Sequence, residues 1–130
     1  MRLTAAMLFV LIAGHACEPS TAPNVPLTGV YSGNFTVSFR PQSVFQGTLR
    51  VTQHETEVSG GLTTTSGRSA DVSGSVTGAH FTGTITFTDG CVGSASTTAN
   101  ITNRGRLVAG HYSAQDCSGH YTGSYSLTKE

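Results

Sequence analysis

The sequence predicts an all-β fold, an antiparallel up-and-down meander of eight strands. The first observation is a repeated pattern: the segments that begin at Gly29 and Gly119 both carry glycine, aromatic and aliphatic residues at every second position. A period of two is that of a strand with one buried side and one side in water. The second observation is composition, because 35 Ser and Thr residues and 16 Gly favour strands and tight turns over helices.

Shorter versions of the same pattern occur at residues 45–51 and 81–87, so one strand type is used repeatedly. Turns separate the strands, and Asp89-Gly90 and Asn103-Arg104-Gly105 are the clearest of them, since Asp, Asn and Gly suit hairpin connections. The eight predicted strands are residues 28–39, 44–53, 57–64, 69–77, 81–88, 91–102, 106–114 and 119–127.

Alternation along these strands predicts which side chains face inward. The sixth strand is the weakest, because its candidates for burial are small apart from one isoleucine. The expected inward residues of the first six strands are Tyr31, Phe35, Val37, Phe39, Phe45, Leu49, Val51, Val58, Leu62, Ala70, Val72, Val76, Phe81, Ile85, Phe87, Ala95, Ala99 and Ile101.

The likeness of the first and last strands favours closure into a barrel, in which these two strands would be neighbours. Closure also removes the exposed sheet edges that a meander otherwise leaves. A two-sheet sandwich is the alternative architecture.

The N-terminus predicts export. Residues 1–16 have the features of a secretory signal peptide: a basic residue, an apolar run over 5–13 that is too short to span a bilayer, and small residues before Cys17. The junction at residues 12–17 resembles the lipobox of bacterial lipoproteins, which implies that Cys17 is lipidated and becomes the mature N-terminus. Ordinary cleavage after Ala16, followed by secretion, is the alternative.

We therefore divide the chain into a signal peptide at 1–16, a Pro-rich tether at 17–26 and a β-barrel domain at 27–130. The protein is expected in the cell envelope, on the periplasmic side or at the cell surface, anchored in the membrane by lipid on Cys17. A Pro-rich tether is suited to this role because it is extended and lacks the N–H donors that a strand needs.

Three cysteines leave one unpaired after a single disulfide. Cys91 and Cys117 are equidistant from Arg104, the centre of a predicted hairpin turn, and equidistant residues of an antiparallel pair face each other. We expect these two to form a disulfide across the sixth and seventh strands. Lipidation would then account for Cys17.

The Gly-x-Tyr-x-Gly motif at residues 29–33, the meander of eight strands and the similar closing strand resemble the avidin and lipocalin-like barrels of the calycin type. The resemblance covers residues 27–129. It implies a closed barrel that binds a small ligand in its open end. No individual binding residue is transferred from either family.

Charge and motif content disfavour several function classes. Seven basic residues balance seven acidic ones, which gives no footprint for nucleic acid. The histidines of the predicted domain fall at separated positions, so we expect no metal site. No nucleophile elbow or phosphate loop occurs, and we expect neither enzymatic activity nor a cofactor.

Two functions remain. The first is binding of a small apolar or amphipathic ligand in a cavity inside the barrel. The inward glycines expected to leave this cavity open are Gly33, Gly47, Gly83 and Gly123. Leucine at Gly83 or Gly123 would then fill the cavity at little cost in stability. The aromatic residues expected to line it are Tyr31, Phe35, Phe81, Phe87, Tyr121 and Tyr125, whose buried hydroxyls would bind ligand or water. The second is a structural or interaction lipoprotein with a filled barrel. The oligomeric state stays open.

Overall fold

The computed structural model describes residues 25–38 and 43–130. Each strand pairs antiparallel with the next, and β1 also pairs with β8, so that the sheet closes into an eight-stranded barrel. The predicted fold class and the closure are confirmed. The strands are β1 (Gly29–Val37), β2 (Ser43–His54), β3 (Glu57–Thr64), β4 (Ser69–Thr77), β5 (His80–Phe87), β6 (Gly93–Thr102), β7 (Leu107–Asp116) and β8 (Gly119–Lys129).

Several expectations fall outside the described residues. These are the signal peptide, lipidation of Cys17, most of the tether, and the inward position of Phe39. Within residues 25–38 and 43–130, no helix is long and apolar enough to cross a membrane.

One end of the barrel, which we call the closed end, is covered by the chain itself. The segment before β1 crosses this end, where buried Leu27 donates its backbone N–H to Gln53 Oε1 at 2.7 Å. A 3₁₀ turn at Asn103–Gly105 lies at the same end, and the hydroxyl of buried Tyr31 donates to the Gly105 carbonyl oxygen at 2.6 Å. The Asn103 and Gly105 backbones have positive φ, as the turn prediction requires.

The opposite end, which we call the mouth, is where β1, β3, β5 and β7 end and their successors begin. The connections at 65–68, 88–92 and 117–118 surround it. The sequence predicted that the sixth strand begins at Cys91, but it begins at Gly93. The Cys91 N–H donates to the Asp89 carboxylate at 2.9 Å instead of to a neighbouring strand.

The alternation along the strands produces one contiguous core inside the barrel. The inward faces predicted for β1 to β6 are buried or half-buried wherever the structure describes them, and β6 adds a buried polar residue, Thr97. The Thr97 hydroxyl donates to the His111 carbonyl oxygen at 2.8 Å and lies 2.6 Å from the hydroxyl of Tyr125.

The expectation that the inward glycines leave space is wrong. A Cβ added at Gly47 would lie 2.6 Å from the ring of Phe35, and one at Gly83 would lie 2.6 Å from the ring of Phe81. A Cβ at Gly33 would overlap the backbone of β8, and one at Gly123 would overlap the Tyr112 hydroxyl. Rings and backbone occupy the volume that these glycines lack, because the strands approach closely and neighbouring side chains lean over them.

The disulfide between Cys91 and Cys117 is present, with Cα atoms 5.1 Å apart, and confirms the predicted pairing. Its predicted position is wrong. The β6–β7 ladder pairs Thr102 with Leu107, so the centre of the hairpin lies between residues 104 and 105 rather than on residue 104. The ladder ends at the pair Ser94–Gln115, so the two cysteines lie beyond it, and the bond joins the β5–β6 connection to the β7–β8 turn at the mouth.

Candidate functional site

Within the part of the barrel that the structure describes, two interior cavities differ greatly in size. One of about 40 Å³ lies towards the closed end, and one of about 220 Å³ opens at the mouth. Phe35, Leu62 and Ile85 line both cavities and therefore lie between them. A cavity of about 150 Å³ is large enough to bind benzene, so the mouth cavity has room for one small molecule and the inner cavity does not.

Aromatic side chains form much of the wall of the mouth cavity. The alternation of five different strands directs one ring each into it, from Phe35, Phe45, Phe87, Tyr112 and Tyr121. The rings of Phe35 and Phe45 are stacked, with centroids 5.5 Å apart and planes 4° apart. Tyr112 and Tyr121 meet edge to face at 6.2 Å. Such walls favour a flat, apolar occupant.

Arg68, the residue before β4, supplies the charged part of the lining of the mouth cavity. Its Nε donates to Asp89 Oδ2 at 2.6 Å, its Nη1 to Asp116 Oδ2 at 2.8 Å and its Nη2 to the Cys91 carbonyl oxygen at 2.9 Å. The guanidinium carbon lies 4.2 Å from the centroid of the Phe87 ring, a cation–π distance. The arginine thereby joins β4, the β5–β6 connection and the end of β7 across the mouth.

The two carboxylates are held ionised by their partners. Hydrogen bonds from Arg68 and from the backbone N–H groups of Ser69 and Cys91 lower the pKa of Asp89 to about 2. Burial alone would raise the pKa of Asp116, but hydrogen bonds from Ser118, Tyr121 and Arg68 outweigh it and hold the pKa well below its usual range.

Arg68 and Tyr121 are shifted in the complementary direction. Burial would lower the pKa of Arg68, but its hydrogen bonds to the two carboxylates raise it above the ordinary value. Burial, together with the hydrogen bond that its hydroxyl donates to Asp116 Oδ2 at 2.7 Å, raises the pKa of Tyr121. The cluster therefore keeps one positive and two negative charges over the whole physiological pH range.

The residues expected to line a ligand cavity are divided between the two spaces. Phe35, Phe87 and Tyr121 line the mouth cavity. Tyr31, Phe81 and Tyr125 line the small inner cavity, as does Phe35.

The expectation that ligand or water satisfies the hydroxyls of Tyr31, Tyr121 and Tyr125 is wrong, because each is hydrogen-bonded to the protein itself. Tyr31 donates to a backbone carbonyl at the closed end, Tyr121 donates to a carboxylate, and Tyr125 is hydrogen-bonded to Thr97. The Tyr112 hydroxyl donates to the Thr36 carbonyl oxygen at 2.8 Å, and burial raises the pKa of Tyr112 to about 12.

Sequence reasoning missed several residues that line the mouth cavity. Phe45 was expected to face inward but was not assigned to the site, and Tyr112 lies in a strand whose inward face was not specified. Alternation from Val108 through Tyr112 to Ala114 would have identified the latter. Arg68 lies between the third and fourth predicted strands, and no local signal connects it with Asp116, which is 48 residues away.

One group of possible metal ligands occurs among the described residues. Cys91, Asp116 and Cys117 place a ligand atom each within 4.8 Å of one another. The two sulfur atoms are bonded to each other, however, so neither is available as a thiolate. The four described histidines are all exposed on the barrel surface.

No known family model matches the chain, and no curated protein is significantly similar to it.

Proposed function

We propose that this protein is a non-enzymatic barrel that binds one small, largely apolar molecule at its mouth. The observation that carries the proposal is the contrast between the two ends of the interior. The closed end is filled to within about 40 Å³, whereas the mouth holds a cavity of about 220 Å³ with five aromatic rings in its wall. An eight-stranded barrel is just wide enough to hold either packed side chains or one small ligand.

The composition of the mouth cavity supports this proposal. Ligand sites are mostly apolar with a few placed polar groups. Here the polar groups are hydroxyls and one guanidinium at the rim, while the rings lie on five strands of a closed sheet. A site built on strands is held rigidly, so little ordering is needed when a ligand binds.

The arrangement also suits export and membrane anchoring, which we propose from the N-terminal sequence. The segment that precedes β1 joins the barrel at the closed end, where Val25 and Leu27 are hydrogen-bonded to Gly78 and Gln53. An anchor at Cys17 would therefore tie the closed end to the membrane and leave the mouth facing the aqueous phase, where a ligand can enter.

The test of binding is native mass spectrometry of the protein purified without denaturant from the cells that make it. Ala95 is buried and lines the mouth, so Ala95→Leu should fill the cavity and remove any co-purifying mass. Ala109→Leu, on the exposed side of β7, is the matched control and should retain it. Equal ligand content in the two variants would contradict binding at the mouth.

Anchoring is tested by fractionation. Cys17→Ser should move the protein from the membrane to the soluble fraction, because stable attachment needs two or more acyl chains. A soluble wild type with an unmodified Cys17 by mass would refute the anchor without affecting the binding proposal.

A structural or interaction lipoprotein is the second candidate. The observation that favours it is the packed interior, in which aromatic rings already occupy the space beside Gly47, Gly83 and Gly123. If the wild type carries no ligand and Ala95→Leu is at least as stable as the wild type, the mouth is only a packing defect and this second function is the better one.

A further inference from the structure

Among the residues that the structure describes, Arg68 is the one charged side chain that lines the mouth cavity. A quarter of the Arg68 side chain is exposed, whereas the side chain of Asp116 is fully buried. The hydrogen bonds of Arg68 to Asp89, Asp116 and Cys91 use three of the five N–H groups of a guanidinium, and a fourth interacts with the Tyr121 hydroxyl. Those bonds hold the guanidinium at the edge of the mouth cavity and leave it an N–H that can still donate.

The carboxylates around Arg68 do not face a ligand in the mouth cavity, because neither Asp89 nor Asp116 lines it. Asp89 accepts from Arg68, Ser69 and Cys91. Asp116 accepts from Arg68, from the Tyr121 hydroxyl and, through its other oxygen, from the N–H and hydroxyl of Ser118. A cation entering the pocket would therefore meet the guanidinium before it met a free carboxylate oxygen.

An anionic ligand is disfavoured as well. The cluster holds one positive charge and two negative charges, so its net charge is −1 and its field repels a carboxylate or phosphate. The group that can still attract a ligand is a guanidinium N–H of Arg68, which lies beside the apolar walls of the cavity. An uncharged oxygen acceptor satisfies that donor without bringing a charge out of water.

Resting on the proposed function, we propose that the molecule bound at the mouth is uncharged, has a flat apolar body and carries a hydrogen-bond acceptor, and that Arg68 selects it by binding this acceptor. The aromatic rings hold the body, and the guanidinium fixes its orientation. Arg68 is thus a specificity residue, in addition to joining three parts of the barrel rim.

The test is a set of four probes that share a phenyl ring and differ in the attached group: acetophenone, ethylbenzene, benzoate and benzylammonium. Binding of each to the full chain is measured by isothermal titration calorimetry. One hydrogen bond corresponds to a roughly three- to tenfold change in affinity, so acetophenone should bind that much more tightly than ethylbenzene. Benzoate and benzylammonium should both bind more weakly than acetophenone.

Two variants assign the preference to the cluster. Arg68→Lys keeps the charge but lacks the planar fork, so the ratio of acetophenone to ethylbenzene affinity should fall towards one. Asp89→Asn raises the net charge of the cluster from −1 to zero, so benzoate should gain affinity relative to acetophenone. Arg50→Lys, on the exposed side of β2, is the control and should change neither ratio. Thermal unfolding monitored by circular dichroism verifies that each variant is folded.

The outcomes separate the two proposals. If none of the probes binds and the wild type carries no ligand, the proposed function fails and this inference fails with it. If all four bind with similar affinity, or if Arg68→Lys leaves the ratio unchanged, binding at the mouth stands and selection by Arg68 is refuted. Tightest binding of benzoate or benzylammonium would refute an uncharged ligand.

Discussion

Replacing Gly123 by alanine should destabilise the barrel strongly, because the space beside this glycine is already occupied. An added Cβ would overlap the Thr36 carbonyl oxygen and the Tyr112 hydroxyl, which are themselves joined by a hydrogen bond of 2.8 Å. Overpacking of a closed core costs about 1–3 kcal/mol. Displacing the Tyr112 ring would also lose its hydrogen bond, worth about 0.5–1.5 kcal/mol. We therefore expect Gly123→Ala to cost about 2–4 kcal/mol.

Gly61 provides the matched control within the same barrel. It lies on the exposed side of β3, and the nearest atom to an added Cβ is the Ala70 carbonyl oxygen at 4.0 Å. Gly61→Ala should be neutral or should stabilise by about 0.4–1 kcal/mol, because alanine restricts the unfolded chain.

Urea denaturation of both variants, with the two midpoints compared at equal slope, measures the difference. Free energies of unfolding that agree within about 0.5 kcal/mol would refute the filled interior and restore the expectation that the inward glycines leave space.

Three further predictions concern the mouth and the core. The pKa of Asp89 in the folded protein, about 2, lies below the unfolded value, so its contribution to stability is present above pH 4 and is lost as the pH falls towards 2. Urea titrations at several pH values would detect this loss, and Asp89→Asn should weaken the pH dependence. Reduction of the Cys91–Cys117 bond, which closes a loop with a sequence separation of 26, should cost roughly 3–4 kcal/mol of unfolding free energy, measured with and without reductant. The pKa of Tyr112 is raised to about 12, so its contribution to stability is present below pH 10 and is lost as the pH rises through 12. In an ultraviolet titration of the folded protein, Tyr112→Phe should reduce the phenolate signal that appears near pH 12.

The fold was predictable because its signal is local and repeated. Two strands of the middle of the chain, β3 and β4, have the predicted bounds, since their alternation ends at polar turns. Closure followed from the similarity of the first and last strands, which are neighbours in the barrel. The disulfide pair followed from counting around a hairpin, but the turn centre and the expected place of the bond across two strands were wrong.

The site was less predictable because a period of two gives the face of a residue and not its depth. Depth along the barrel depends on the stagger between strands, which no single strand encodes. Tyr31 and Tyr121 have similar sequence surroundings, yet one is at the closed end and the other at the mouth, because β1 and β8 run in opposite directions. The arginine cluster depends on closure of the barrel. Arg68 contacts Asp116 only when the start of β4 and the end of β7 face each other across the mouth.

The most direct test of the account is a nuclear magnetic resonance titration of the isotope-labelled protein with acetophenone. The account predicts chemical shift changes at residues around the mouth, including Phe45, Phe87 and Tyr121, and none around Tyr31 at the closed end. The Ala95→Leu variant should abolish these changes. Changes centred on the closed end, or an unperturbed mouth at saturating probe, would contradict it.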